Sequence, residues 1–446
     1  FIVNQLTAFF IDAVNVFSSQ CQAHRLHVPF YQFQQRGNPH SFLGLKHIHA
    51  CKTQNERQCA FHRTFFHADK IPQTHRCFAT LLYFRNMASS TQDNQLQPLP
   101  PNLLVDLRSD TVTQPTKAMR QVMHDAPVGD DVFGEDESIQ ALQHRCAELT
   151  GQEAALFCPS GTMTNQIAIQ VHTRPGDEVI CDKLSHIYNY EGGGIARNSG
   201  ASVRLVDGDC GRFDAADMIA NINPLDSHYA KTSLVAVEDT CNKGGGSVWD
   251  VGALKRLSEE CRARGLKFHL DGARVWNAWV KRGEWGNPNA MANYGAMFDS
   301  MSLCLSKGLG CPVGSVLVGS KTFIADAHRS RKVMGGGMRQ AGVLAAAALY
   351  ALDHHVVRLE QDHRHASMLE HALKSHPDVA QVDSVDTNIV IFSLPEATSA
   401  KVVDSFAELG IACFAFGPNK VRLVTHLDMV TTDVEEACHR ISRWRA

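Results

Sequence analysis

The sequence lacks the signatures of a structural metal site. None of its 14 cysteines forms a C-x-x-C pair, no group of Cys and His has zinc-finger spacing, and the 23 histidines include no H-E-x-x-H. No metal is therefore expected. Scattered cysteines of this kind read as reduced thiols of a cytosolic-type compartment, several of them core residues, so a cytoplasmic placement is expected. Net charge is equally scarce. With 43 Lys and Arg against 46 Asp and Glu, a formal charge of -3 gives no overall field toward nucleic acid or an anionic membrane, and neither partner is expected. Acids all but vanish from residues 1–86, where Asp12, Glu56 and Asp69 are the only ones and no sustained helical or strand period emerges. That segment reads as a disordered extension or a product of the gene model. Mitochondrial targeting is the alternative, against which stand its length, its few Ser and its want of an amphipathic stripe. Met87 in "FRNMASSTQDNQ" offers a second start, and residues 87–104 read as a polar linker.

What is present suits one large core with a smaller second domain: 446 residues, 44% hydrophobic and 20% charged. After Val105, "AALFC", "DEVICD", "ASVRLV", "TSLVAVE", "LKFHLD", "SMSLCLS" and "GSVLVG" read as strands. Helical stretches lie between most of them, such as "DESIQALQHRCAELTG" and "DVGALKRLSEECRARG", each ending at a Gly suited to a C-cap. The alternation predicts a large α/β domain over residues 105–356, built on a mainly parallel seven-stranded sheet covered on both faces. From residue 357 a long helix, then "NIVIFSL", "GIACFAF" and "KVRLVTHL", predict a small α+β domain over residues 357–446.

Open sheets of this type bind ligands beyond the carboxyl ends of their strands. The residues following four of the runs are "PSGTMTNQ", "SHIYNYE", "DGAR" and "SKGLG". Ser160, Gly161 and Thr162 open a helix, where free N–H groups and two hydroxyls make an anion cradle, although Ser and Thr are also ordinary N-caps. Asp271 and Arg274 stand three residues apart in "FHLDGARVWN". A helix N-terminus would explain them as a cap and a solvated charge. Lys307 changes the balance, because a lysine forms a Schiff base with an aldehyde and a pyridoxal ring also needs an acid for its nitrogen. Asp271 can be that acid, Arg274 can reach the phenolic oxygen or a substrate carboxylate, and His186 can stack on the ring or be a plain loop histidine.

"VDLRSDTVTQPT", "GDDVFGEDES", "SGTMTNQIA", "SHIYNYEGGG", "HLDGARVWNA", "LSKGLGCPVGS", "RKVMGGGMRQAG" and "VRLVTHLD", in that order over roughly residues 105–444, resemble the L-threonine aldolases. These are pyridoxal 5'-phosphate enzymes of the aspartate-aminotransferase-like fold. By that resemblance Lys307 is the Schiff-base lysine, Asp271 the partner of the ring nitrogen, His186 the stacked residue, and Ser160, Gly161 and Thr162 the phosphate loop. Ser109, Arg274 and Arg422 would hold the carboxylate of a small amino-acid substrate. Arg339, with Lys332, would reach the cofactor phosphate of a neighbouring subunit, within a homotetramer of dimers that share active sites. His228 matches a family histidine near the substrate hydroxyl and is the first candidate for the base, and His186 with Glu191 is the second. The resemblance implies retro-aldol cleavage of L-threonine and L-allo-threonine to glycine and acetaldehyde, with low discrimination at Cβ. Racemisation, β-elimination and a non-catalytic relative are the rival readings. Asp239 departs from the family's usual Asn, which puts substrate scope in question.

Overall fold

Thirteen strands organise the part of the chain that the computed structural model describes, residues 99–395 and 399–445. The expectations for residues 1–86, and for the linker before residue 99, lie outside the described residues. A two-residue strand, β1 (Val105–Asp106), comes first. The large sheet follows, made of β2 (Ala154–Cys158), β3 (Glu178–Asp182), β4 (Ser202–Val206), β5 (Thr232–Glu238), β6 (Lys267–Gly272), β7 (Ser300–Cys304) and β8 (Ser315–Gly319). Its order is β2-β8-β7-β6-β5-β3-β4, and only β8 runs against its neighbours. Every residue of β3, β5, β7 and β8 is buried, as a sheet covered by helices on both faces requires.

The helices begin and end where the side chains dictate. Asp136 and Asp250 cap the helices Glu137–Thr150 and Val251–Arg264, and Gly151 and Gly265 close them in the left-handed conformation at φ 63° and 68°. Both glycine ends are those read from the sequence. No described helix is long and apolar enough to cross a membrane.

A second, antiparallel sheet has the order β12-β13-β10-β9, with β9 (Gln381–Val382), β10 (Ile389–Ser393), β12 (Phe414–Ala415) and β13 (Lys420–Val424). Phe392, Phe406, Val421, Ile441 and Trp444 fill its own core. That core also takes Val105 and Leu107, because β1 pairs in parallel with β11 (Ile411–Ala412). The segment leading to Ser109 is thus fastened to the core of the smaller sheet through β11, although it precedes the larger sheet in the chain.

Asp239 follows β5 but points into the core. Its carboxylate accepts hydrogen bonds from Tyr294 Oη at 2.7 Å and Trp249 N at 3.3 Å, and pairs with Arg282 at 2.5 Å. The departure from the family's Asn is therefore a buried ion pair under the sheet. Asp239→Ala leaves the Arg282 guanidinium with the Trp249 carbonyl at 2.8 Å and Glu284 at 3.9 Å but without its closer carboxylate, and is expected to cost about 3 kcal/mol. Urea denaturation reads this as a lowered midpoint, and an unchanged midpoint would show that the pair does not stabilise the fold.

Candidate active site

The carboxyl ends of the parallel strands converge, and each delivers one polar group. β6 ends in Asp271, which is 3% exposed and lies in register with Glu238 of β5 and Ser302 of β7. Asp271 does not cap a helix: the following helix, Val275–Arg282, starts after Arg274 with no side-chain cap, and Asp271 Oδ1 accepts from Ala273 N at 3.1 Å. Its Oδ2 accepts from Asn165 Nδ2 at 2.9 Å. The same amide donates to Glu191 Oε1 at 2.9 Å, and Gln166 Nε2 donates to Glu191 Oε2 at 2.6 Å.

His186 opens a short helix just beyond β3 and presents Nδ1 to Glu191 Oε1 at 3.0 Å. A carboxylate partner requires Nδ1 to carry the proton, which leaves Nε2 as the nitrogen that exchanges one. His186, Glu191 and Asp271 bring their nitrogen and oxygen atoms within 4.8 Å of one another, and the donating amide of Asn165 stands between the two carboxylates. Burial lowers the proton affinity of His186, yet its bond to Glu191 and the charges of Asp271 and Glu238 outweigh that, so it titrates above an ordinary histidine. Glu238 accepts from His186 N at 2.8 Å and Asn242 N at 2.9 Å. Burial, then the charge of Asp271, pushes its carboxyl up to about 7.

A second group gathers opposite. Arg274 gives Nε and Nη2 to the two oxygens of buried Asp110, both at 2.7 Å, and Asn388 Nδ2 adds a bond to Asp110 at 3.3 Å. Burial raises the Asp110 carboxyl, but Arg274 and then Lys307 outweigh it and hold it well below the usual carboxylate range. Arg422 of β13 donates to Asn242 Oδ1 at 2.9 Å and to the Arg108 carbonyl at 3.2 Å, while its buried Nε has no partner among the described residues. Burial and the nearby Arg274 charge bring it down to about 10. Two guanidiniums that repel each other across one carboxylate leave a net positive corner suited to an anion. Ser109, buried beside it, accepts from Thr111 N and Oγ1 at 3.2 and 2.9 Å, so its own proton is available to donate.

Lys307 lies in the loop beyond β7, and its carbonyl is held by Thr113 Oγ1 at 2.9 Å and Gly310 N at 2.8 Å. Its charge acts on Asp110 and Cys304: burial raises the Cys304 thiol, and Lys307 with the neighbouring hydroxyls outweighs that. At the end of β2, Ser160 Oγ accepts from Met163 N at 3.2 Å and starts the helix Gly161–His172. The N–H groups of Gly161 and Thr162 precede the first helical bond, as at any helix start.

Three expected residues stand apart from this group. His228 sits in a turn before β5, at the opposite end of the strand from Glu238, with its side chain 86% exposed and its Nδ1 against Asp226 at 2.6 Å. Within this chain it therefore stands away from the group around Asp271. Arg339 is 55% exposed and pairs with Asp130 at 3.0 Å, and Lys332 is exposed on the same surface.

Comparison with known proteins gives this geometry a family. A model described as β-eliminating lyase matches residues 106–397. The low specificity L-threonine aldolase of Escherichia coli is 40% identical over 344 residues, covering 77% of this chain and 99% of the relative. The chain belongs to the L-threonine aldolase family. Low-specificity L-threonine aldolase 1 of Arabidopsis thaliana is 40% identical over 338 residues, 74% of this chain and 93% of that one. Among solved structures, the threonine aldolase of Leishmania major superposes with a TM-score of 0.66 at 20% identity, covering 76% of this chain and 98% of its own. The serine palmitoyltransferase of Sphingomonas wittichii gives 0.62 at 16%, covering 84% and 98%. Both share the fold expected from the sequence, that of the pyridoxal-phosphate enzymes with an aspartate-aminotransferase-like architecture.

As a member of the threonine aldolase family the chain is a lyase whose cofactor is pyridoxal 5'-phosphate. The residues fit that group. Asp271, a buried carboxylate met only by neutral N–H donors, suits a cationic ring nitrogen, and the helix start at Ser160 suits a phosphate. Sequence reasoning missed Asp110, Asn165, Glu238 and Asn242. Asp110 and Asn165 fall inside quoted motifs, and the buried polar run Thr164, Asn165, Gln166 on a helix otherwise apolar inside was the available signal. Glu191→Gln removes both the strongest bond to His186 and a charge, so the His186 titration is expected to move down. The protonated imidazole adds stability below about pH 6.5, lost as pH rises through its raised folded value. Histidine NMR titration checks this, and an unmoved midpoint would remove Glu191 from the role.

Proposed function

We propose that the protein cleaves L-threonine and L-allo-threonine to glycine and acetaldehyde, with little discrimination at Cβ. The observation that supports this most is the pairing of a positive corner, Arg274 and Arg422 around Asp110, with a lysine and a buried carboxylate on the facing strand ends. Lys307 would hold the cofactor aldehyde, Asp271 the ring nitrogen, and Ser160, Gly161 and Thr162 the phosphate. When bound, the cofactor would supply an electron sink for a bond broken at the substrate Cα.

The residues of the chain select that bond. Arg422 offers its unpartnered Nε to the substrate carboxylate, and Ser109 and Arg274 add donors. Fixing the carboxylate fixes rotation about N–Cα and aligns Cα–Cβ. His186 Nε2 takes the proton of the β-hydroxyl, directly or through water, as acetaldehyde leaves, and passes it to solvent, while a proton from solvent reaches Cα to give glycine. Glu191 keeps the imidazole in the tautomer that makes Nε2 the base. Arg339 and Lys332, exposed on their own chain, serve a neighbour's phosphate in a tetramer of dimers. Cytoplasmic placement accords with the ten described cysteines, all free thiols.

Incubation with both threonine diastereomers, measuring glycine, acetaldehyde and the visible spectrum, tests this reading. Pyruvate derivatives or epimerised amino acid in place of glycine would replace it with elimination or racemisation. Lys307→Ala is expected to lower aldehyde release on the order of a hundredfold or more. Arg422→Lys keeps the charge and loses the planar fork, so amino-acid binding is expected to weaken while the spectrum of the resting enzyme stays unchanged. Unaltered threonine kinetics in that variant would take Arg422 out of the site.

A further inference from the structure

Behind Asp271 a line of buried polar side chains runs away from the site. Asn165 Oδ1 meets His269 Nε2 at 3.1 Å, His269 Nδ1 meets Ser300 Oγ at 2.8 Å, and Ser300 Oγ meets His172 Nε2 at 2.8 Å. Asn165, His269 and Ser300 are 2% exposed or less. Asn165 and His172 lie two turns apart on one face of the helix Gly161–His172, while His269 and Ser300 are paired neighbours on β6 and β7. The sheet and helix therefore hold the four groups in line.

Hydrogen directions along the line are dictated from one end. Asn165 gives its amide hydrogens to Asp271 and Glu191, so its oxygen must accept. His269 must then carry its proton on Nε2. Burial, then His172, brings His269 down to about 3, so it is neutral and its Nδ1 is bare. Ser300 must donate to that nitrogen and accept from His172 Nε2, whose own ring burial brings down to about 4. In the opposite arrangement His269 carries its proton on Nδ1 and Asn165 must turn its oxygen toward two carboxylates. The line thus has two directional states, and only one lets Asn165 serve the site.

We propose that His172, Ser300 and His269 form a directional hydrogen-bond relay that supports and polarises the amide of Asn165, and through it strengthens the bonds to both carboxylates, Asp271 and Glu191. These are positioning residues. The task of Asp271 rests on the function proposed above, but the relay itself does not. Each donor in the relay polarises the next, so its effect reaches the carboxylates as a strengthened N–H···O bond. His186 reports the result, because it shares Glu191 with Asn165 and faces Asp271 and Glu238 besides.

Magic-angle-spinning NMR of the holoenzyme with 15N-labelled histidine tests the proposal. In the unaltered protein His269 and His172 are expected as neutral rings protonated at Nε2. Ser300→Ala removes the middle of the relay without touching the site. It is expected to leave His269 protonated at Nε2, where Asn165 Oδ1 still accepts, and to raise the His186 midpoint by about half a unit, since the Asn165 amide loses the polarisation that strengthens its bond to Glu191. His172→Phe keeps the stack on Phe323, now at 4.5 Å between centroids, removes the outermost donor, and is expected to give a smaller shift in the same direction. A single His269 tautomer protonated at Nδ1 in the unaltered protein, or an unmoved His186 midpoint in a folded Ser300→Ala or His172→Phe variant, would overturn the relay. Glycine formation is measured alongside, so loss of the proposed activity is seen separately from loss of the relay.

Discussion

Three buried carboxylates in one place are the constraint around which this site is arranged. Asp271, Glu191 and Glu238 repel one another at the ends of neighbouring strands, where water cannot screen them. The chain answers with a different device for each. Glu238 retains its proton more strongly than an ordinary glutamate and is tied by two backbone N–H groups. Glu191 leans on His186, Gln166 and Asn165. Asp271 receives only neutral donors, so its attraction for a cation remains unspent. An arrangement with no such cation would be better served by apolar side chains, because buried charge without a partner lowers stability.

The opposite corner shows the same logic with the sign reversed. Arg274 would be the natural partner of a substrate anion, yet two of its nitrogens are committed to Asp110. That pair orients the guanidinium in advance and leaves Arg422, with a buried nitrogen that has no partner among the described residues, as the less satisfied of the two. Because Arg422 lies on β13 and Arg274 follows β6, the positive corner draws on both sheets.

The strands of the large sheet were legible because burial on both faces writes continuous apolar runs, and the two helix ends because glycine alone takes the left-handed cap cheaply. Lys307, Asp271 and His186 were legible by their place after such runs. Asn165, Asp110 and Glu238 were not, since a polar residue within a helix or strand reads as an interruption until the element across from it is known. The place of His228 was not legible for a related reason. Sequence order places it near β5 but does not say which end of that strand it occupies, and the two ends open on opposite edges of the sheet.

The pairing of β1 with β11 has a consequence for how the chain is made. Val105 and Asp106 find their partners at Ile411 and Ala412, so the strand that carries Ser109 and Asp110 into place waits on residues synthesised near the end. Contacts of such sequence separation form late, after the large sheet has most of its own neighbours. A nascent chain can therefore build the floor of the site long before its wall. The Arg274–Asp110 pair thus stands next to a strand pairing that cannot exist until residues 411–412 have been made.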